Sequence, residues 1–334
     1  MSSGDAYERA GVSQRAADAA VAALLESLRR IDPGRPSRQA LAAGHYASVI
    51  RLDETIGIAL STDGVGTKLV VAEQLGRWDT VGIDCVAMNA NDLICVGAEP
   101  LAMLDYVAVP EADPAVMRDL GRGLRRGAEL AGIEIPGGEL AQIGEIVRGL
   151  DLVGACFGAV DLDSIVTGAG IEPGDPVLGL PSSGLHSNGY TLARRALADV
   201  PMADETLGRP LGDVMLEPTE IYVAAVVELM RSAVDVRGLA HITSGGLRNL
   251  LRLEAKVGYE IDDALPAPPI FSLIQDRGSV SDAEMHEVFN MGCGFCCVVA
   301  AGDEDAALGL LRRHYPDAKR IGCATGDAGR LNRH

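Results

Sequence analysis

Ser61-Thr62-Asp63-Gly64-Val65-Gly66-Thr67-Lys68 closes an apolar run that starts near Thr55, and it packs a carboxylate, two glycines and a lysine into one short turn. Glycine lets a backbone approach anionic oxygens closely. A hard carboxylate suits magnesium, which takes one or two protein carboxylates besides waters and nucleotide oxygens. Two further segments share this character, Asn89-Ala90-Asn91-Asp92-Leu93 and Pro136-Gly137-Gly138-Glu139, each with its carboxylate expected after an apolar strand or turn. Together the three could hold a metal-bound triphosphate. Acidic residues beside glycine are also ordinary turns, and spacing alone does not choose. Neither G-x-x-x-x-G-K-[ST] nor G-x-G-x-x-G occurs.

Around these turns the apolar pattern alternates. Strands are expected near Ala47–Leu52, Thr55–Leu60, Leu101–Val109, Leu150–Val160, Pro176–Leu180 and Phe295–Ala301. Helical spacing runs from Ser13 to about Arg30 and over Pro114–Ala131, Asn188–Val200, Pro218–Ala233 and Glu304–Tyr315. Pro114 and Pro218 sit where a first helical residue tolerates a missing N–H, beside Asp113 and Glu217 at the positive helix end. The alternation gives an α+β or α/β chain. At 334 residues and 48% hydrophobic content it fits two domains. The Asp- and Gly-rich stretch Asp161–Gly174 divides them near residue 168, into 1–168 and 169–334.

A net charge of −18 opposes binding to nucleic acid or an anionic membrane, and no apolar stretch reaches the roughly 18 residues that span a bilayer. Seven scattered cysteines and no leader pattern predict a reduced, cytoplasmic setting. Cys293 and Cys296 form a C-x-x-C inside an apolar run, which reads as a buried strand. With only three lysines in the chain, Lys68 stands out in its glycine-rich turn, either as a phosphate contact or as a solvated turn residue.

In the second half, Ser182-Ser183-Gly184-Leu185-His186-Ser187-Asn188-Gly189-Tyr190 leaves a strand and opens a helix, and His241-Ile242-Thr243-Ser244-Gly245-Gly246-Leu247 repeats the arrangement. Such a turn aims free amides and hydroxyls at an anion such as a phosphate ester. The plainer reading is a capped turn with His186 in solvent.

Six segments in register carry a resemblance: STDGVGTKL (61–69), VGIDCVAMNANDLICVGAEPLAMLDYVA (81–108), GGE (137–139), GLPSSGLHSNGYTLARR (179–195), HITSGGL (241–247) and FNMGCG (289–294). From about residue 55 to 325 the chain resembles the phosphoribosylformylglycinamidine cyclo-ligases, also called aminoimidazole ribonucleotide synthetases. The resemblance implies a two-domain α+β fold, with an N-terminal sheet forming a dimeric β-barrel core, a C-terminal α/β domain, and nucleotide clefts near the interface of a homodimer. It implies ATP- and Mg2+-dependent closure of formylglycinamidine ribonucleotide to aminoimidazole ribonucleotide. Asp63, Asp92 and Glu139 would hold the metal. Gly64, Gly66, Thr67, Lys68 and Asn91 would complete the nucleotide site, Lys68 offsetting phosphoryl charge. His186, Asn188 and His241 would act in catalysis, and Ser187, Asn188 and Thr243 would bind the substrate. An ATP-dependent kinase or ligase of the same superfamily, acting on another small phosphorylated metabolite, is the alternative.

Three departures stand out. The family pattern ends a nucleotide-covering loop in G-G-F-G, where this chain has Leu41-Ala42-Ala43-Gly44-His45-Tyr46-Ala47, so that His45 replaces part of that lid or the lid is absent. G-G-E-L-A-Q-I stands for the commoner G-G-E-T-A-E-M, and HITSGG for HITGGG.

Overall fold

The computed structural model describes residues 14–28, 31–41 and 44–334. Helix α1 (Gln14–Leu28) follows the alanine and leucine spacing, while the expected cap Ser13 and terminus Arg30 lie outside the described residues. Strands β1 (Ser48–Arg51) and β2 (Ile56–Gly64) make a hairpin whose turn is set by Asp53, which accepts from the amides of Thr55 and Ile56. Then come α2 (Lys68–Leu75), α3 (Val81–Ile94), β3 (Glu99–Val109), α4 (Pro114–Ala131), β4 (Glu134–Gln142) and β5 (Asp151–Asp161). The sheet order is β1-β2-β5-β3-β4, antiparallel except for β3 beside β4. The start of α4 is as expected: Pro114 opens it and the Asp113 carboxylate accepts from the amide of Ala115.

Alternation along β5 decides what each face of this sheet does. Leu152, Gly154, Cys156, Gly158 and Val160 are buried on the face that carries α3, whereas Val153, Ala155, Phe157 and Ala159 are only half-buried on the other. Nothing among the described residues closes this sheet into a barrel, so a single chain leaves one apolar face open.

The chain crosses once to a second sheet, between Asp161 and Pro176. There β6 (Pro176–Pro181), α5 (Tyr190–Ala196), α6 (Leu211–Met215), α7 (Val223–Met230) and β7 (Val236–His241) precede a run of 3-10 turns at Gly246–Arg252. The remainder is β8 (Gly258–Ile261), α8 (Pro269–Gly278), α9 (Asp282–Val288), β9 (Cys293–Val299), α10 (Glu304–Leu311), β10 (Lys319–Thr325) and β11 (Leu331–Arg333), in sheet order β11-β8-β10-β6-β9-β7. Every residue of β9 is buried, its cysteines included, and burial raises the Cys296 thiol well above its ordinary range. The C-x-x-C is therefore core packing, with the Cys293 and Cys296 sulfurs 3.6 Å apart as free thiols sharing a weak hydrogen bond.

Two expected helix starts move. The helix placed at Asn188 begins at Tyr190, because Gly189 sits at φ 74° with the Phe289 ring where a side chain would stand. Pro218 starts no helix at all. Residues 217–222 spend their backbone groups on side chains, those of Glu217, Thr219, Glu220 and Tyr222 on the first half as described below, so α7 begins only at Val223.

Candidate functional site at the junction of the two sheets

Asp63 ends the apolar run of β2, and α3 holds it there. Asn89 accepts from the Asp63 amide (2.8 Å) and donates to the Asp63 carbonyl (3.1 Å), imitating a neighbouring strand. Asp92 follows Asn89 by three residues on the same helix, so both share one face and the two carboxylates come together. Asp63 is raised above the ordinary carboxylate range, first by the protein that displaces water around it, then by the charge of Asp92; the Gly64 amide and His241 oppose this. Beyond Asp63, Gly66 takes φ 71°, and the space where its side chain would be is empty, leaving the backbone of the turn open. The expected turn or strand before Asp92 is in fact a helix, and Asn91 and Asp92 diverge on it.

Asp92 lies 2.9 Å from Nδ1 of His241, the last residue of β7, whose side chain is fully buried. Nε2 of the same ring faces the Asn91 amide nitrogen at 3.5 Å, an arrangement that assigns the proton to Nδ1, donated to Asp92. His241 thus orients a carboxylate of the first half from the second sheet. Asn91 is buried too. It donates to the Glu220 carbonyl and accepts from the Tyr222 amide, which removes it from nucleotide contact and fixes the segment before α7.

Lys68 is likewise corrected. It is fully buried, with Nζ 2.9 Å from Asp84 Oδ1 and also bonded to the carbonyls of His186 (3.1 Å) and Glu217 (2.6 Å). All three ammonium hydrogens are engaged, so it neither reaches a phosphate nor sits in solvent. Asp84 also accepts from the amide and hydroxyl of Thr219 (2.7 and 2.6 Å). Breaking such a buried pair costs about 3–5 kcal/mol, and its further bonds to His186, Glu217 and Thr219 tie the halves together. His186 is also inside, at φ 61°. Nε2 accepts from the Ser183 amide (3.3 Å), Nδ1 finds no partner, and burial depresses its basicity well below the ordinary imidazole value.

The more open members of the two second-half turns bond to one another and to the first half. Ser187 Oγ is 3.3 Å from Thr219 Oγ1, and Asn188 Oδ1 accepts from Ser244 Oγ (3.1 Å). Among the described residues the Asn188 amide nitrogen has only the Met88 sulfur of α3 as a hydrogen-bond partner, at 4.0 Å. Thr243 stands two residues beyond His241, and Thr67 Oγ1 touches Thr191 Oγ1 at 3.2 Å across the same junction. Glu139 is not brought in. It pairs with Tyr106 on the open face of the first sheet, three strands from β2, while Asp63 shares the α3 face with its partners Gly154 and Asp105. The gathered donors therefore number two carboxylates; among the described residues no group of three or more His, Cys, Asp or Glu is placed to hold a metal. Two hard carboxylates with an open glycine turn fit magnesium carried by a nucleotide, which supplies the remaining oxygens.

Three residues that build the site carry no role in the sequence reading. Asp84 had a signal: an acid inside the apolar run Val81–Ile94 needs a buried cation. Asn89, three residues before Asp92, is visible once that run is read as a helix. Asn290 accepts from the Ser182 hydroxyl and donates to the Gly184 carbonyl, so the FNMGCG segment braces the turn before His186. The departures also find places. His45 is bonded to Glu254 (3.0 Å) at the edge of the second half, and Ala42 and Ala43 lie outside the described residues. Gln142 accepts from the Ala112 amide, a local contact away from the carboxylates.

The N-terminal domain model of the AIR synthase related proteins matches residues 44–160, and the C-terminal domain model matches 172–331. Phosphoribosylformylglycinamidine cyclo-ligase of Methanothermobacter thermautotrophicus is 52% identical over 275 residues, 80% of each chain. That of Thermococcus kodakarensis is 44% identical over 330 residues, 97% of this chain and 96% of the relative. Among solved structures, thiamine-monophosphate kinase from Stenotrophomonas maltophilia superposes with a TM-score of 0.64 at 20% identity, covering 89% of this chain and 91% of the other. Hydrogenase maturation protein HypE in complex with ATP gives 0.62 at 20%, covering 85% and 83%. At such identities these two likenesses bear on the fold alone. With both domain models matched in order and relatives this similar over nearly the whole length, the chain belongs to the phosphoribosylformylglycinamidine cyclo-ligase family.

Proposed function

We propose that the chain closes the imidazole ring of aminoimidazole ribonucleotide from formylglycinamidine ribonucleotide, with ATP converted to ADP and phosphate, at the junction where Asp63 and Asp92 meet Asn188 and Thr243. The observation that carries this is the pairing of two carboxylates beside an open glycine turn, with Asp92 bonded to His241 at the start of the turn whose Ser244 bonds Asn188. The substrate's amide oxygen is a poor leaving group. Attack of that oxygen on the terminal phosphorus of ATP expels ADP and gives an iminophosphate. The amidine nitrogen then attacks the activated carbon within the same molecule, phosphate leaves, and a proton is lost. Holding both ends of one substrate supplies the proximity.

Asp63 and Asp92 would hold Mg2+, which when bound offsets charge on the transferring phosphoryl group. Gly64, Gly66 and Thr67 present backbone to the nucleotide. Ser187, Asn188 and Thr243 take the substrate phosphate. His241 keeps Asp92 aimed. Residues 1–168 form the nucleotide-binding and dimerisation domain and 169–334 the second domain, in a cytoplasmic homodimer. Support for the dimer comes from the uncovered sheet face, where Ile56, Leu104 and Tyr106 are each about two-fifths exposed and Ile58, Leu60 and Phe157 lie between them. Two such faces brought together would complete a barrel. Glu139 belongs to that face, so any part it has in the site runs through the paired state.

Purified protein given formylglycinamidine ribonucleotide, ATP and Mg2+ should yield aminoimidazole ribonucleotide and ADP one for one. Asp92→Asn should lose at least about a hundredfold in kcat, the scale of a removed electrostatic group. It should also lose the rise in melting temperature that Mg-ATP gives the wild type. A folded wild type that binds Mg-ATP and makes no product overturns the reaction. Full activity in Asp92→Asn overturns the carboxylate's role.

A further inference from the structure

The segment just before β1 reaches across to the second half at an unusual density of contacts. Tyr46 is buried, and its hydroxyl donates to the carbonyl of Asn249 (2.9 Å) in the 3-10 run after β7. Its ring lies under the Arg252 guanidinium, 4.0 Å from the centroid, and Arg252 in turn donates to the His45 carbonyl (3.2 Å). Asn249 turns this anchorage toward the cleft. Its side-chain oxygen accepts from the Thr243 amide (2.8 Å) and its nitrogen donates to the Ser244 carbonyl (3.1 Å), so one buried amide sets the shape of the turn that follows His241. Ser244 then donates through its hydroxyl to Asn188 Oδ1 (3.1 Å). That bond holds one end of the Asn188 amide. Its oxygen is committed to Ser244, and its nitrogen, with only a thioether beside it, a weak acceptor, is left to donate to a ligand oxygen.

We propose that Tyr46, Asn249 and Ser244 form a hydrogen-bonded relay that holds the Asn188 amide donor toward the phosphorylated substrate, which makes them positioning residues for the ring-closing reaction. This rests on the assignment of Asn188 to substrate binding. It gives Ser244, where the commoner family pattern has glycine, a function that glycine cannot perform, and it gives the segment at Gly44–Tyr46 a task at the substrate turn. Tyr46→Phe keeps the ring on Arg252 and removes only the hydroxyl. Ser244→Ala removes only the last link.

Steady-state kinetics on Tyr46→Phe, Ser244→Ala, the double variant and Asn188→Ala test the relay. Each relay variant should raise KM for formylglycinamidine ribonucleotide by about three- to tenfold, the scale of one hydrogen bond, with kcat and the KM for ATP within about twofold. The double variant should raise it no further than the larger single, because both act through one amide. Effects that multiply in the double variant overturn the relay. So does an unchanged KM in either single while Asn188→Ala raises it, including the case in which the variant only melts earlier. An unchanged KM in Asn188→Ala instead overturns the substrate assignment, and the relay falls with it.

Discussion

At the scale of single residues, the chain uses buried charge to join its halves and leaves exposed charge for the ligand. Lys68 was conspicuous in the sequence by rarity, yet its partners, Asp84 at sixteen residues and the carbonyls of His186 and Glu217 far along the chain, are matters of tertiary packing that no local pattern encodes. His186 shows the same limit, since a polar residue among serines reads as surface and is in fact inside. Its burial makes a prediction with a definite sign. The folded state holds the imidazole neutral well below the ordinary value, so below about pH 6.5 the unfolded chain binds a proton that the folded chain does not. Stability tied to His186 is therefore full above that pH and falls as pH drops toward the depressed folded value, by about 1.4 kcal/mol per unit. His186→Asn, a residue that tolerates the positive φ, should flatten the decline of urea-unfolding free energy between about pH 6.5 and 5 by that slope. Parallel pH profiles for variant and wild type would show that the imidazole ionises equally in both states.

At the scale of elements, what the sequence made legible was what is decided locally. α4 came out with both ends placed, because Asp113, Pro114 and the left-handed Gly132 are all in the chain segment itself. The apolar runs that became β3, β5 and β6 were legible to within about two residues, and β9, expected over Phe295–Ala301, lies at Cys293–Val299. Pro218 misled because its local signal was overridden by Lys68, Asp84 and Asn91, each claiming a backbone group from residues 217–222. The packing of α3 on α4 was illegible for another reason: it depends on which glycine faces which helix. A side chain on Gly123 would stand 2.3 Å from the Asp79 carbonyl oxygen and 3.1 Å from the Gly82 Cα, whereas one on Gly121, two residues away, would meet nothing within 4 Å. Alanine should therefore have opposite signs at the two positions. Gly121→Ala should stabilise by about 0.5–1 kcal/mol through the unfolded chain and helix propensity. Gly123→Ala should destabilise by about 1–3 kcal/mol, because two backbones must part. It should also blunt the Mg-ATP shift, since α3 carries Asn89 and Asp92. Urea titrations read both, and equal signs would mean that the helices do not approach at these glycines.

At the scale of the whole molecule, the two sheets are fastened from several directions: Lys68 with the His186 and Glu217 carbonyls and Asp84 with Thr219 at the centre, Asp92 with His241, Tyr46 with Asn249, and Arg231 with Glu99 at the surface. The residues of the proposed site lie along these fastenings, so the site exists only when the halves are docked. The open face of the first sheet asks for something further. Leu104 and Tyr106 project from β3 beside the half-buried Ala155 and Val153 of β5, and leaving such a surface in water forfeits about 25 cal/mol for each Å² that a partner would cover. A second copy offers an identical face, and an isologous pair satisfies both at once. Each chain carries a net charge of −18, so pairing must overcome repulsion that salt screens, and the pair should tighten between low and physiological ionic strength. In sedimentation equilibrium at micromolar concentration the wild type should show twice the chain mass. Leu104→Asp, which places a charge on the face that pairing would bury, should show a single chain mass with its circular dichroism unchanged. A wild type at single mass across both salt conditions would mean that this face is left to water, and the barrel would have to be abandoned even if the ring-closing activity stood.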